Sequence, residues 1–487
     1  MGPRRIKRAR LADILTPDLC VIGAGSGGLA VAELARNYGA EVVLVEKARL
    51  GGNALSTGAV PAAALFAAAA HARAMRDGAA FGIASEEPKV NFRRVHDHVE
   101  QVIAAIAPDS SVARLEALGI ELLRGGARFV SRKAVQVGDT EIRARRFVVA
   151  TGAKAPVPAI PGLDAVPYFT TETILDNTRK LTHLVVIGGG AAAVALAQAY
   201  ARLGSEVTVV APGNLLEGVD PELAAVALKQ VAEEGVTLLP HTGVAAIQGR
   251  SMGIGVAIRS GEQDRLLDAS HILVAGERLP NLDGLDLDKA GIKRSKADPR
   301  QLQLGPTLKT TNPRIYAVGD VAGGHSVQAA AHQARAVVRG ALLGLVARPD
   351  PQVVPRLVST DPEIAEVGLN EVTARTRHGI NFRVTRLAFA ENDQARASRQ
   401  TYGVAKLVTD RSGRILGAGV VGTGAADLVS LFALAMAGGL NASRLADFAA
   451  PYPSRADIAV RLGAELQRSE VANPLLKHWL TLNRLLG

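Results

Sequence analysis

The chain has 487 residues, enough for about three domains at ~150 residues each. Hydrophobic residues make up 48% and charged ones 21%, which excludes global disorder, and the single cysteine, Cys20, excludes an intrachain disulfide, a thiolate zinc site and a CxxC redox pair. The net charge is +10, but Arg4, Arg5, Lys7, Arg8 and Arg10 carry five of those charges, so the remainder is ordinary for its length.

In chain order, residues 1–17 form a basic tail, read as solvated, with contact to an anionic lipid surface as the alternative. No basic stripe with stacking aromatics follows, so nucleic acid is not an expected partner. The apolar run Leu19 to Ala24 follows Asp18 and enters a glycine-rich turn, which reads as a strand rather than a signal peptide. Residues 60–75 and 98–118 read as helical, and 120–150 alternate like strands up to the FVVATG segment. Residues 207–275 read as a second set of strands, followed by IYAVGD at 315–320 and a helix over 326–346. Pro349, Asp350, Pro351 and Pro355 mark a boundary, and beyond it a sheet is expected to precede helices. The segment 473–487 is amphipathic through Leu475, Leu476, Trp479, Leu480, Leu482, Leu485 and Leu486. The apolar stretches 62–70 and 428–440 are short for a membrane span, so a cytoplasmic protein is expected.

The strongest organisational signal is an internal repeat. Residues 18–46 and 183–211 align without gaps at an offset of 165, with 11 of 29 positions identical. Each copy reads as strand, glycine-rich turn, helix and strand, a βαβ dinucleotide-binding unit. In the first copy Gly23, Gly25, Ser26, Gly27 and Gly28 form the fingerprint, whose helix N-terminus suits a pyrophosphate. Glu46, 18 residues past Gly28, ends the next strand and is placed to accept from a ribose hydroxyl.

These residues, with EKARLGGNALSTGAVPAAAL, VVATGAKAPVPAIPG, VVIGGGAAAVALA, IYAVGDVAGG and PYPSRAD, resemble the flavoprotein disulfide reductases with two dinucleotide folds. That family includes dihydrolipoamide dehydrogenase, glutathione reductase and mercuric reductase. The resemblance covers about residues 18–470. It implies an α/β fold with two Rossmann-like domains and a C-terminal α+β dimerisation domain. The FAD-binding domain would span 18–160 and 279–350, an NAD(P)-binding-like domain 161–278, and the dimerisation domain 351–487. The resemblance further implies FAD, a homodimer and a small-molecule substrate. The FAD would be held by the fingerprint and Glu46, and by Lys47, Gly52, Asn53, Thr57, Gly58, Ala127, Thr151, Gly152, Gly319 and Asp320.

The chemistry departs from the family where it matters most. The family reads GGxCxNxGCxPSK after the FAD acid; here both cysteine positions are alanine, Ala54 and Ala59. A methyl group cannot exchange with a disulfide or bind a soft metal, which removes the family's thiol mechanism and its mercury chemistry. The family's Lys in that motif is replaced by Ala63, and its Glu partner in the second nucleotide unit by Ala195. A buried charge without its partner is costly, so the two are expected to be lost together. Ala191 replaces the residue that lids the nicotinamide, and the family's C-terminal acid–base His is replaced by Tyr452, with Asp457 in place of the orienting Glu. Tyr452 and Asp457 are the candidate catalytic residues; a packing Tyr at an interface is the alternative.

In the second repeat Ala211 stands where Glu46 stands in the first, and Pro212, Gly213 and Asn214 follow with neither acid nor Arg. Glu277 lies where a Gly is usual, and a carboxylate beside a pyrophosphate is repulsive unless it points away. This unit is therefore either an NAD(P)H site or scaffold. The ten His show no ligand spacing, so no metal is expected. Glu391, Asn392 and Asp393 read as a solvated polar turn. Three functions fit. One is an FAD-dependent oxidoreductase passing electrons, with NAD(P)H the donor by resemblance, to an acceptor such as a quinone. The second is a catalytically degenerate flavin-binding protein with a structural or regulatory role. The third is flavin chemistry on a specialised metabolite, with Tyr452 or Asp457 moving the proton.

Overall fold

The structure is a computed structural model and describes residues 14–84, 87–471 and 474–485. The basic stretch Arg4 to Arg10 lies outside the described residues, as do the side chains of Leu475 and Leu476. The chain divides into two compact units, 1–64 with 97–156 and 277–349, and 65–96 with 157–276 and 350–487. The segment 65–96, which the sequence reading assigns with the first nucleotide-binding domain, groups with the second unit.

The first unit is built on a five-stranded parallel sheet in the order Ile315–Ala317, Arg146–Val149, Leu19–Ile22, Val42–Glu46, Glu121–Arg124. Both faces of such a sheet are buried, so its strands are continuous apolar runs whose alternate residues serve different cores. Leu19, Val21, Leu44 and Val148 pack with the helices Ser26–Asn37 and Val327–Leu343. Cys20, Ile22, Val43, Val45, Phe147 and Val149 face the other way, onto Phe129, Val135 and Ile142. Those three residues belong to a four-stranded sheet that runs from Ile14–Leu15 through Thr140–Ile142 and Ala134–Val137 to Ala127–Ser131. Cys20 is fully buried, and burial pushes its thiol far up.

The second unit contains a second five-stranded parallel sheet, ordered Phe169–Thr170, His271–Val274, His183–Ile187, Glu206–Val210, Thr237–Leu239. The helix Ala191–Arg202 follows its glycine turn. A further helix, Pro221–Glu233, lies within the region read from sequence as strands alone. Its start carries an unmistakable signal, Asp220 accepting from the Glu222 N–H at 3.0 Å with Pro221 at the first position. Thr242–Arg250, Gly253–Ser260 and Gln263–Ala269 form an antiparallel sheet of three.

The C-terminal sheet is antiparallel, in the order Arg356–Val358, Ile364–Gly368, Ile415–Val421, Val404–Asp410, Phe382–Ala388. It is covered by the helices Ala425–Ala437 and Asp457–Val471, with Phe389, Leu428, Phe432 and Ile458 in its core. A charge cluster ties this sheet to the second nucleotide unit. Lys406, 3% exposed, meets Asp220 at 2.8 Å, Glu222 at 2.9 Å and Glu371 at 3.0 Å. The final helix, Pro474–Leu485, leaves Trp479, Leu480, Leu482 and Leu485 exposed.

By length and composition the run Gly52–Phe81 matches a membrane span, with mean hydropathy 1.3 in its most apolar window, of which 28% is buried. The sequence reading saw only its middle. The run is interrupted at Thr57 and Gly58, and its main helix, Ala59–Asp77, ends in Arg73, Arg76 and Asp77.

Candidate active site

The glycine turn of the first unit is held by backbone contacts that tolerate no side chain. A Cβ on Gly28 would stand 1.8 Å from Gly23 O, so only glycine lets the helix Ser26–Asn37 start this close to the strand. At Gly25, by contrast, an added Cβ meets only Gly52 Cα at 3.9 Å, and the space in front of the helix N-terminus is open. Glu46 is fixed at both oxygens: Ala24 N–H donates to Oε2 at 2.6 Å and Ala48 N–H to Oε1 at 2.7 Å. Each oxygen keeps a further lone pair for a ribose hydroxyl. Lys47 follows on the surface, and Lys154, Arg294 and Lys47 hold the Asp283 carboxyl below the usual range, chiefly through the Lys154 hydrogen bond.

The segment that carries the alanines folds back onto this turn. Gly51 N–H donates to Ala24 O at 2.9 Å, and Gly25 and Gly51 form a parallel bridge. The short helix Gly52–Ser56 contains Asn53 and Ala54, and Ala59 opens the next helix. Between them the Thr57 N–H donates to Asn53 O at 3.0 Å, while Thr57 Oγ1 is buried with no hydrogen-bond partner. A buried hydroxyl left without a partner suits a polar ligand group at this place.

The ATG turn closes the same site. Thr151 Oγ1 donates to Asn281 O at 2.7 Å, and Asn281 N–H donates to Gly152 O at 2.9 Å. Asn53 Nδ2 and Arg278 Nη2 both donate to Ala153 O, at 3.4 and 2.8 Å. Asp320 sits on the turn Gly319–Ala322, whose Gly319 N–H is held by Gln333 Oε1 at 2.8 Å. Asp320 Oδ2 lies 4.0 Å from the Cβ position of Gly152, so the carboxylate faces the ATG turn. Ala127 stands apart from these contacts, at the start of the strand Ala127–Ser131 and paired with Val137. An open fingerprint, an anchored carboxylate at the strand end, a carboxylate facing the ATG turn and an orphaned hydroxyl fit an FAD.

Glu277 does not present the repulsion its position threatens. Its carboxylate is 64% exposed and pairs with Arg300 Nη1 at 3.0 Å.

Tyr452 and Asp457 lie in the second unit. Tyr452 is 78% exposed and donates its O–H to Asp393 Oδ2 at 3.1 Å. That hydrogen bond, with the Asp393 and Asp457 charges, raises the phenol above its ordinary value. Asp457 opens the helix Asp457–Val471, and it is Asp393, not Asp457, that receives the tyrosine hydrogen bond. Sequence reasoning missed this because it took residues 391–393 for a solvated turn. Asn392 is 1% exposed, caps the helix Asp393–Ala397 by accepting from Ala395 N–H at 3.0 Å, and donates to Ser454 O at 2.9 Å. The Asn-Asp-Gln start was a legible helix cap. Beside Tyr452, Ser454 Oγ and Arg455 Nε are buried without partners.

Comparison with known proteins agrees with this geometry. Residues 17–334 match the family described as pyridine nucleotide-disulphide oxidoreductase, and residues 354–462 match its dimerisation domain. Mercuric reductase of Streptomyces lividans is 32% identical over 93% of this chain and 97% of its own length. Dihydrolipoyl dehydrogenase of Geobacillus stearothermophilus is 30% identical over 91% of this chain and 94% of its own. Among solved structures, LpdA from Mycobacterium tuberculosis superposes with a TM-score of 0.84 at 26% identity, over 93% of this chain and 99% of that one. The HOCl-induced flavoprotein disulfide reductase RclA from Escherichia coli superposes with a TM-score of 0.80 at 26% identity, covering 92% and 99%. Family members bind FAD and take NAD(P)H as substrate. The chain belongs to the pyridine nucleotide-disulphide oxidoreductase family, as a member whose single cysteine leaves it no redox pair.

Proposed function

We propose that this chain is an FAD-dependent oxidoreductase in which no protein disulfide stands between the flavin and the acceptor. A pyridine nucleotide is the donor and a small organic molecule such as a quinone the acceptor. One observation carries the reading: Ala54 and Ala59 flank the turn Thr57–Gly58 while the sole thiol, Cys20, is sealed in a central strand. FAD, when bound, supplies the hydride and electron transfer itself. The chain's residues bind, orient and exclude. The fingerprint Gly23 to Gly28 and the helix behind it would receive the pyrophosphate, Glu46 the adenosine ribose, and Asp320 the ribityl side. Gly52, Asn53, Thr57 and Gly58 line the same cradle, where Thr57 Oγ1 offers a hydrogen bond.

Methyl groups at 54, 59 and 63 are smaller than the thiols and lysine chain they replace, which favours an acceptor at this place. Tyr452 holds its proton against Asp393, which suits a group that keeps or lends a hydrogen bond rather than one that ionises. Asp457 adds negative charge beside it. The family's dimerisation domain supports a homodimer.

The test is an anaerobic titration of the FAD-loaded protein, following the flavin absorbance, with NADH and NADPH in turn and then a benzoquinone. Bleaching by a nucleotide and return of colour with the quinone is the expected result. A flavin that no nucleotide bleaches points instead to a flavin-binding protein without turnover, which the joint replacement of the family's cysteines, lysine and glutamate by Ala54, Ala59, Ala63 and Ala195 also fits. Bleaching without reoxidation by quinones points to a dedicated metabolite.

A further inference from the structure

The two repeats differ at the strand-end acid, and in the second a carboxylate from the following loop lies near the corresponding turn. In the first, the Glu46 carboxylate binds the Ala48 N–H at 2.7 Å. The residue equivalent to Ala48, 165 positions on, is Gly213. An oxygen of Glu217 lies 3.9 Å from the Cβ position of Gly213. A carboxylate six residues beyond Ala211 thus reaches the neighbourhood that Glu46 occupies in the first repeat.

The loop that presents Glu217 is fixed. Leu216 N–H donates to Gly189 O at 2.7 Å, the counterpart of Gly51 N–H to Ala24 O at 2.9 Å. Leu215 and Leu216 are buried, and a Leu215 methyl lies 3.1 Å from the Cβ position of Gly189. Glu217 itself is exposed and has no hydrogen bond or ion pair among the described residues. No Lys, Arg or His occurs from Leu203 to Leu228. Arg202, just before, is spent on Glu234 at 2.7 Å and Asp361 at 2.9 Å. His241 donates its backbone N–H to Gly213 O at 3.1 Å.

We propose that Glu217 is the ribose-binding carboxylate of the second repeat, and that the donor nucleotide is therefore NADH rather than NADPH. A carboxylate accepts from ribose hydroxyls and repels a 2′-phosphate, which needs a cation that this loop lacks. The inference rests on the reading that a pyridine nucleotide is the donor.

The experiment is equilibrium binding of NAD⁺ and NADP⁺ to the FAD-loaded full chain by calorimetry. NAD⁺ should bind about tenfold or more tighter than NADP⁺. Glu217→Arg should lower that ratio by about tenfold or more, and the milder Glu217→Gln by a few-fold, about 3. Equal or tighter NADP⁺ binding by the unaltered chain, or a ratio that neither variant moves, overturns the proposal. If NADPH alone bleaches the flavin, this assignment fails and the oxidoreductase reading stands. If neither nucleotide binds, the assignment and the nucleotide donor fail together.

Discussion

The two βαβ repeats share a backbone and diverge in how they treat a ligand. Their helices, Ser26–Asn37 and Ala191–Arg202, coincide residue for residue under the offset of 165. Gly23 N–H to Val45 O at 2.8 Å is matched by Gly188 N–H to Val210 O at 2.9 Å. Even the left-handed turn after the second strand is repeated, with Gly51 at φ 83° and the buried Leu216 at φ 54°. A leucine in that region is strained, so packing of its side chain holds the conformation that glycine adopts freely. The third fingerprint glycine and the strand-end acid of the first copy are both alanine in the second, Ala193 and Ala211. One change lies at the strand end and the other where helix meets strand, while the hydrogen bonds of the frame are kept.

The sharpest way to break that comparison is at the third fingerprint position. Gly28→Ala places a methyl 1.8 Å from Gly23 O and should cost upwards of about 4 kcal/mol together with the bound flavin. Ala193→Gly in the second copy should cost about 1 kcal/mol, the helix-propensity difference, and leave the flavin in place. Denaturant titration and the flavin spectrum of the purified variants check both.

The next largest effect concerns how the second copy is anchored. Lys406→Met leaves Asp220, Glu222 and Glu371 without their shared cation and should cost about 3–4 kcal/mol. Burial works against the Lys406 charge, yet hydrogen bonds to those carboxylates outweigh it and raise its pKa. Its contribution is present below the ordinary lysine range and is lost as pH rises through the raised value. Glu222 and Glu371 are also opposed by burial, but Lys406 and Arg386 hold both below the usual range. Their contribution is present above the ordinary glutamate range and is lost as pH falls through the lowered values. Glu363 and Glu366, raised chiefly by burial, oppose part of that acid loss. Stability measured from pH 7 down to pH 3 should therefore fall less steeply in Lys406→Met than in the unaltered chain.

A smaller effect tests the acid that only the first copy has at its strand end. Glu46→Gln keeps the shape but loses the charge-assisted hydrogen bonds from Ala24 and Ala48. It should cost about 1–3 kcal/mol, read as weaker FAD retention on dialysis. The smallest lies after the last strand of the second copy. Glu277→Gly removes an exposed pair with Arg300 and should change stability by less than about 1 kcal/mol, with nucleotide binding unmoved.

Much of this was legible in the residues because repeats and periodicity are local. The strand Leu19–Ile22, the helix after it and the alanines at 54 and 59 are visible in a window of a few dozen positions. The helix Pro221–Glu233 was missed although its cap, Asp220-Pro221-Glu222, was in plain view; the neighbouring β-branched runs outweighed it. Other features depend on chain segments far apart in sequence. Lys406 meets Asp220 across 186 positions, and Tyr452 meets Asp393 across 59. Glu217 escaped for a different reason: its loop turns back on Gly213, and the fingerprint rule looks for the acid only at the strand end.

The burial of Cys20 has a practical consequence. Because it is the chain's only thiol and is fully buried in the central parallel sheet, the unaltered protein carries its own unfolding reporter. A thiol reagent can react only when that sheet opens. With reagent in excess, the labelling rate gives the rate of opening; with reagent scarce, it gives the opening free energy. Adding FAD should slow the labelling in proportion to its affinity, so cofactor binding is readable without any enzymatic turnover.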